Sequence, residues 1–134
     1  MNFYFDENIT PQIARALAIL QEPLQHEHIK ILNIRDEFGR GVADEQWIPE
    51  VGKQEGIVIT QDLNIHRTRQ QRELYRRFKI GVVFFKPPKK TGYGYWTMIE
   101  KIIEAWPDIK KVAKRERTPF AYVIRPRSKR LEEL

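Results

Sequence analysis

The chain has 134 residues, which suits one domain. With 41% hydrophobic and 31% charged residues and a net charge of +6, it fits a packed core under a charged surface and favours an anionic partner. The absence of cysteine excludes disulfides, thiolate metal sites and thiol nucleophiles, and a lone serine, Ser128 in a basic tail, argues against a serine hydrolase. The start MNFYFDEN lacks a basic leader, and no apolar run approaches the ~20 residues that span a bilayer. The expectation is a soluble cytoplasmic protein with no membrane contact.

In chain order, residues 3–5 (FYF) form a short aromatic strand ending at Asp6. Thr10 followed by Pro11 predicts a helix start, with Thr10 as the cap and Pro11 at the first helical position. The helix carries Ile13, Leu17 and Leu20 at helical spacing and ends at Pro23. HIKILNI (28–34) alternates and predicts a second strand, which would place His26 and His28 on one side, as surface polar residues without a third metal ligand. DEFGRGVADEQW, with two glycines, reads as a loop, and Asp44 is placed to cap the helix that follows, DEQWIPEVGKQ. GIVITQ is a buried strand that runs into Asp62. A basic helix, LNIHRTRQQRELYRRF, follows, and then the strand IGVVFFK, stopped by Pro87 and Pro88. GYWTMIEKIIEAW predicts an amphipathic helix, PDIKKVAKRER another, and AYVIR a last strand. Trp47, Trp96 and Trp106 fall on predicted helices as core or dimer-interface residues. The ending RPRSKRLEEL is expected to be disordered.

Strands alternating with helices predict an α/β fold with a parallel sheet, whose ligands bind beyond the carboxyl ends of the strands. Asp6, with Glu7 and Asn8, follows the first strand, and Asp62, with Asn64 two positions on, follows the third. Asp44 and Glu45 start the helix that leads into the third strand, at the same edge. Each aspartate alone is most simply a turn or capping residue. Three converging carboxylates repel one another, and a divalent cation relieves that repulsion; hard oxygen ligands suit Mg²⁺ or Mn²⁺. From Leu63 to Lys90 nine basic residues stand against a single acid, Glu73. An acidic metal site beside such a stretch points to a nuclease, with Arg67, Arg69, Lys89 and Lys90 as candidate RNA contacts. A solvated helix face or an acidic protein partner explains the charge run as well. His66 is a minor candidate for proton transfer, and Tyr93 and Tyr95 either stack on bases or pack back on the domain.

These residues resemble the PIN-like nuclease families, specifically the small VapC-type toxin group whose members begin with a D-E-N motif. The matching pieces are FDEN (5–8), IRDEFGRGVADEQW (34–47) and VITQDLN (58–64). The resemblance implies a three-layer α/β/α fold with a central, mainly parallel sheet over residues 1–124, followed by a basic tail, 125–134. It implies a Mg²⁺- or Mn²⁺-dependent endoribonuclease acting as the toxin of a type II toxin–antitoxin pair, with a cognate antitoxin and, by resemblance alone, a homodimer. Asp6, Asp44 and Asp62 are then the catalytic metal-site residues, Asn8 and Glu45 lie beside them, and Thr60 orients Asp62. Where relatives carry a further aspartate this chain has Asn64, an oxygen donor without charge, so a two-metal mechanism is not implied.

Two rival readings stand beside this one. A receiver-like phosphoacceptor domain also places acids after its first strand and an aspartate after its third, and Lys86-Pro87 imitates its Lys-Pro element, though here after the fourth strand. A non-catalytic module would use the same surface to hold RNA or an acidic protein.

Overall fold

The computed structural model describes residues 1–134 apart from the side chain of Ile65. The strands are β1 (Asn2–Phe5), β2 (Lys30–Asn33), β3 (Ile57–Gln61), β4 (Gly81–Phe85), β5 (Phe120–Ile124) and β6 (Glu132–Glu133). The helices are α1 (Pro11–Gln21), α2 (Ile34–Phe38), α3 (Asp44–Lys53), α4 (Ile65–Arg77) and α5 (Tyr95–Arg115). The strands form one sheet in the order β2-β1-β3-β4-β5-β6, parallel throughout except for β6.

The side-chain alternation of each strand explains the layers. Phe3, Phe5, Ile57, Ile59, Val83, Phe85 and Ile124 point to one face, where Ile13 and Leu17 of α1 and Ile102, Trp106 and Ile109 of α5 cover them. Tyr4, Val58, Val82, Phe84 and Val123 point to the other, against Ile34 of α2, Trp47 and Ile48 of α3 and Tyr75 of α4. Strands covered on both faces read as unbroken apolar runs, which is what IVI and GVVFF are. Gly81 is required by close approach: a Cβ there would lie 2.5 Å from the Phe120 ring across the β4–β5 pair.

Several local expectations are corrected. Residues 107–115 continue α5 through Pro107 rather than starting a new helix. Ile109, Val112 and Ala113 bury on the same side as Ile102 and Trp106, and that shared packing outweighs the lost helical bond. Residues 34–38 form the short helix α2, because the Asn33 side chain caps it by accepting from the Asp36 N–H at 2.8 Å. The tail is ordered: β6 pairs with Tyr122 and Val123 of β5, and Lys101 Nζ donates to the carbonyls of Arg125, Pro126 and Ser128. Thr10 makes no capping bond, while Pro11 does open α1. His26 lies in a 3₁₀ segment, Glu22–Glu27, and His28 is left-handed (φ 53°) ahead of β2, so the two share no strand face. Trp47 and Trp106 are core residues, whereas Trp96 is 73% exposed.

Candidate active site at the carboxyl edge of the sheet

The strand order turns between β1 and β3: the chain leaves β1 toward β2 on one side and returns to β3 on the other. The helices then diverge above the strand ends and leave a crevice there. Asp6 stands at the end of β1, and its backbone N–H continues the β1–β3 pairing by donating to Ile59 O at 2.9 Å. Only 3% of Asp6 is exposed. Its Oδ2 accepts from Thr60 Oγ1 at 2.8 Å and its Oδ1 from the Glu7 N–H at 2.7 Å.

Asn8 locks the turn to β3. Its Nδ2 donates to Gln61 O at 3.0 Å and its Oδ1 accepts from the Gln61 N–H at 3.2 Å, so the side-chain amide extends the β1–β3 pairing one step past the strand. Gln61 answers with Nε2 donating to Asn8 O at 2.7 Å. The same Gln61 side chain accepts from the Tyr93 N–H at 3.0 Å, tying in the loop that bears Lys89 and Lys90. Gly92 makes that approach feasible: its φ is +88°, and a Cβ would meet Gln61 Oε1 at 2.9 Å.

Asp44 is the first residue of α3 rather than its cap, which is Ala43. Its Oδ1 accepts from Trp47 Nε1 at 3.1 Å and its Oδ2 from Gln71 Nε2 at 3.3 Å. Arg67 NH2 lies 3.5 Å from Oδ1, a loose and half-exposed pair worth under about 1 kcal/mol. Burial pushes the Asp6 carboxyl above its ordinary range, and the charge of Asp44 adds to that. The Thr60 bond, the Arg67 guanidinium and the Glu7 N–H pull it back only in part. Asp6 is thus a buried carboxylate with incomplete charge compensation.

The other sequence-derived residues divide in two. Glu45 is exposed beside Asp44 on a groove it shares with Gln70 and Gln71. Asn64 is not a free oxygen donor: it caps α4 by accepting from the Arg67 N–H at 3.1 Å. Thr60 orients Asp6, not Asp62: its Oγ1 donates to Asp6 Oδ2, while the Asp62 N–H continues the pairing toward β4 by donating to Phe85 O at 2.9 Å. Asp62 instead accepts from Thr68 Oγ1 at 2.8 Å. It borders a separate cavity of about 90 Å³ lined also by Arg72, Lys86 and Arg125. Among the described residues no group of three or more His, Asp and Glu side chains is arranged to hold a metal ion. Asp6 is thus linked to Thr60 and, by charge, to Arg67 and Asp44, and Asn8 bonds the same Thr60, while Asp62 is bonded to Thr68 and lines a different cavity.

Arg69, Lys89 and Lys90 are exposed, the last two on the loop after β4. Tyr93 packs back, its hydroxyl donating to Lys86 O at 2.8 Å, while Tyr95 is 49% exposed against Trp96. Sequence reasoning missed Gln61 and Gln71, buried amides that fix the two halves of the site; their low exposure (7% and 4%) is invisible in a polar stretch. Among the described residues no helix is long and apolar enough to cross a membrane.

A family model described as PIN like domain matches residues 1–87. No curated protein and no solved structure matches the chain. PIN-like domains are commonly nucleases, and those nucleases usually use divalent metals. The match runs from β1 to the end of β4, through Asp6, Asn8, Asp44, Thr60 and Asp62, and over more than half of the chain: the protein belongs to the PIN-like domain family.

Proposed function

We propose that the protein is a divalent-metal-dependent endoribonuclease and the toxin of a toxin–antitoxin pair. The observation that carries the nuclease reading is the buried Asp6 carboxylate at the turn in strand order, within reach of the charges of Asp44 and Arg67, in a PIN-like domain. The donor set suits Mg²⁺ or Mn²⁺: two hard carboxylates, neutral amide oxygens nearby, and a buried negative charge left under-compensated. Magnesium commonly takes only one or two protein carboxylates and keeps its waters.

Asp6 and Asp44 would hold the ion. When bound, it supplies a Lewis acid toward a phosphoryl oxygen and lowers the pKa of an attacking water. The chain's own groups prepare that site. Thr60 and the Glu7 N–H hold the Asp6 oxygens in one orientation, and Trp47 and Gln71 do the same for Asp44. Arg67, poised beside Asp44, is free by its exposure to swing toward a phosphate, and Arg69, Lys89 and Lys90 offer charge to the flanking phosphates. Asp62, held by Thr68, would add negative charge near the ion without being one of the two carboxylates assigned to it. A cognate antitoxin and a homodimer belong to the same proposal.

The test is cleavage of mixed cellular RNA by purified protein with Mn²⁺, beside an EDTA control and an Asp6→Asn variant. Cleavage lost in both is expected. RNA bound but left intact by the wild type would replace the nuclease with a binding module. Growth arrest on expression, relieved by Asp6→Asn, tests the toxin role.

A further inference from the structure

Tyr75 lies on α4 four residues after Gln71 and eight after Arg67, so the three share one helix face. Both Arg67 and Gln71 reach Asp44. The Tyr75 ring packs between Trp47 at 6.1 Å and Phe84 at 6.4 Å, and Phe84 is the register partner of Thr60. Side chains on a helix lean toward its N-terminus, and the N-terminus of α4 stands at the carboxyl edge of the sheet. Tyr75 also borders a cavity of about 590 Å³ with Arg72, Ile80 and Phe120, yet its phenol hydroxyl lies near enough to the site to feel the charges of Asp6, Asp44 and Arg67.

That hydroxyl is the one buried side-chain polar atom among the described residues without a hydrogen-bond partner, on a residue 1% exposed. Burial, and then the charges of Asp6 and Asp44, hold the phenol well above its ordinary value, so it keeps its proton and remains a donor. Buried donors are normally satisfied, and where the protein offers nothing, a molecule from outside the chain does so.

We propose that the Tyr75 hydroxyl donates a hydrogen bond to a water held between it and the Asp6–Asp44 pair, making Tyr75 an uncharged positioning residue of that site. The inference rests on the reading of Asp6 and Asp44 as a cation site. With a cation held by Asp6 and Asp44, Tyr75 would hold one water of that ion's outer hydration. Outer contacts of this kind typically change metal affinity by about 10-fold or more.

The experiment measures Mn²⁺ affinity by the paramagnetic resonance of the free ion, for wild type, Tyr75→Phe and Asp6→Asn, each with its fold checked by circular dichroism. About a 10-fold rise in Kd for Tyr75→Phe is expected, with a larger one for Asp6→Asn. Wild-type affinity in Tyr75→Phe together with lost affinity in Asp6→Asn overturns the tyrosine's role and leaves the site standing. Unchanged affinity in Asp6→Asn overturns the cation site itself. A crystal structure of the wild type grown with Mn²⁺ is independent of any variant: an ordered oxygen about 3 Å from the hydroxyl is expected, and a dry wall there overturns the proposal.

Discussion

Asp6 and Asp62 begin as equivalents, one aspartate after β1 and one after the adjacent parallel strand β3, and they end in opposite surroundings. Asp6 is buried, held by a threonine on the neighbouring strand, and feels the charge of a second carboxylate, Asp44. Asp62 is partly exposed, held by a threonine on its own following helix, and faces Arg72, Lys86 and Arg125. Position at a strand end thus fixes which edge a residue occupies, but the next bond in the chain fixes what it sees. Under the proposed function the first aspartate would hold the cation, whereas the second lines a cavity with Arg72, Lys86 and Arg125.

The sharpest way to break this division is to neutralise each carboxylate. Asp6→Asn and Asp44→Asn should each lower the initial rate of RNA cleavage by about 10²–10³-fold, the scale of losing a main electrostatic contribution to the transition state. Asp62→Asn should cost about 10-fold or less. Equal losses at Asp6 and Asp62 would show that both serve one centre.

The supporting threonines come next. Thr60→Val removes a donor from a buried carboxylate and should destabilise the fold by about 1–3 kcal/mol in urea titrations. Thr68→Val, beside the partly exposed Asp62, should cost about 1 kcal/mol or less. Similar costs would mean that the two settings differ less in dryness than their exposures state.

Stability against pH sharpens the same point. The folded-state pKa of Asp6 is raised, so the folded protein binds its proton more readily than the unfolded chain does. The contribution of that group to stability is present in full below the unfolded value of 3.8 and is lost as pH rises through the folded value. At neutral pH, Asp6→Asn should therefore melt above the wild type, and the gap should close as pH falls toward 3.8. A gap that widens on acidification would mean that the buried carboxylate is fully compensated.

The smallest expected effect lies on the basic side. Lys86→Ala or Arg72→Ala should each lower the slope of log affinity for RNA against log salt by about one, with cleavage at saturating RNA unchanged. An unchanged slope would remove the phosphate backbone from the cavity beside Asp62.

The sequence makes the frame of this site readable. Unbroken apolar runs such as IVI and GVVFF announce strands covered on both faces, and Asp6 and Asp44 fall together because both follow from element order alone. The direction of Asp62 was not readable, since it depends on one turn of backbone between Gln61 and Ile65 and on Thr68 beyond it. Tyr75 was hidden differently: in RQQRELYRR the charges dominate the pattern, and a single aromatic among them gives no sign that it faces inward. Pro107 and the tail misled because local rules describe isolated segments, while Trp106, Ile109 and Lys101 act through the rest of the fold.

Gln61 carries a consequence of another kind. One amide spans two segments, donating to Asn8 O on one side and accepting from the Tyr93 N–H on the other. The turn that carries Asp6 and the loop that carries Lys89 and Lys90 are in effect yoked by a single side chain. If the protein acts as proposed, a displacement of the lysine loop by an arriving polyanion would be transmitted to the turn through this one residue, and the converse would hold for a cation arriving at Asp6. The two ligands would then feel each other's presence, each binding more firmly once the other has stilled the shared amide.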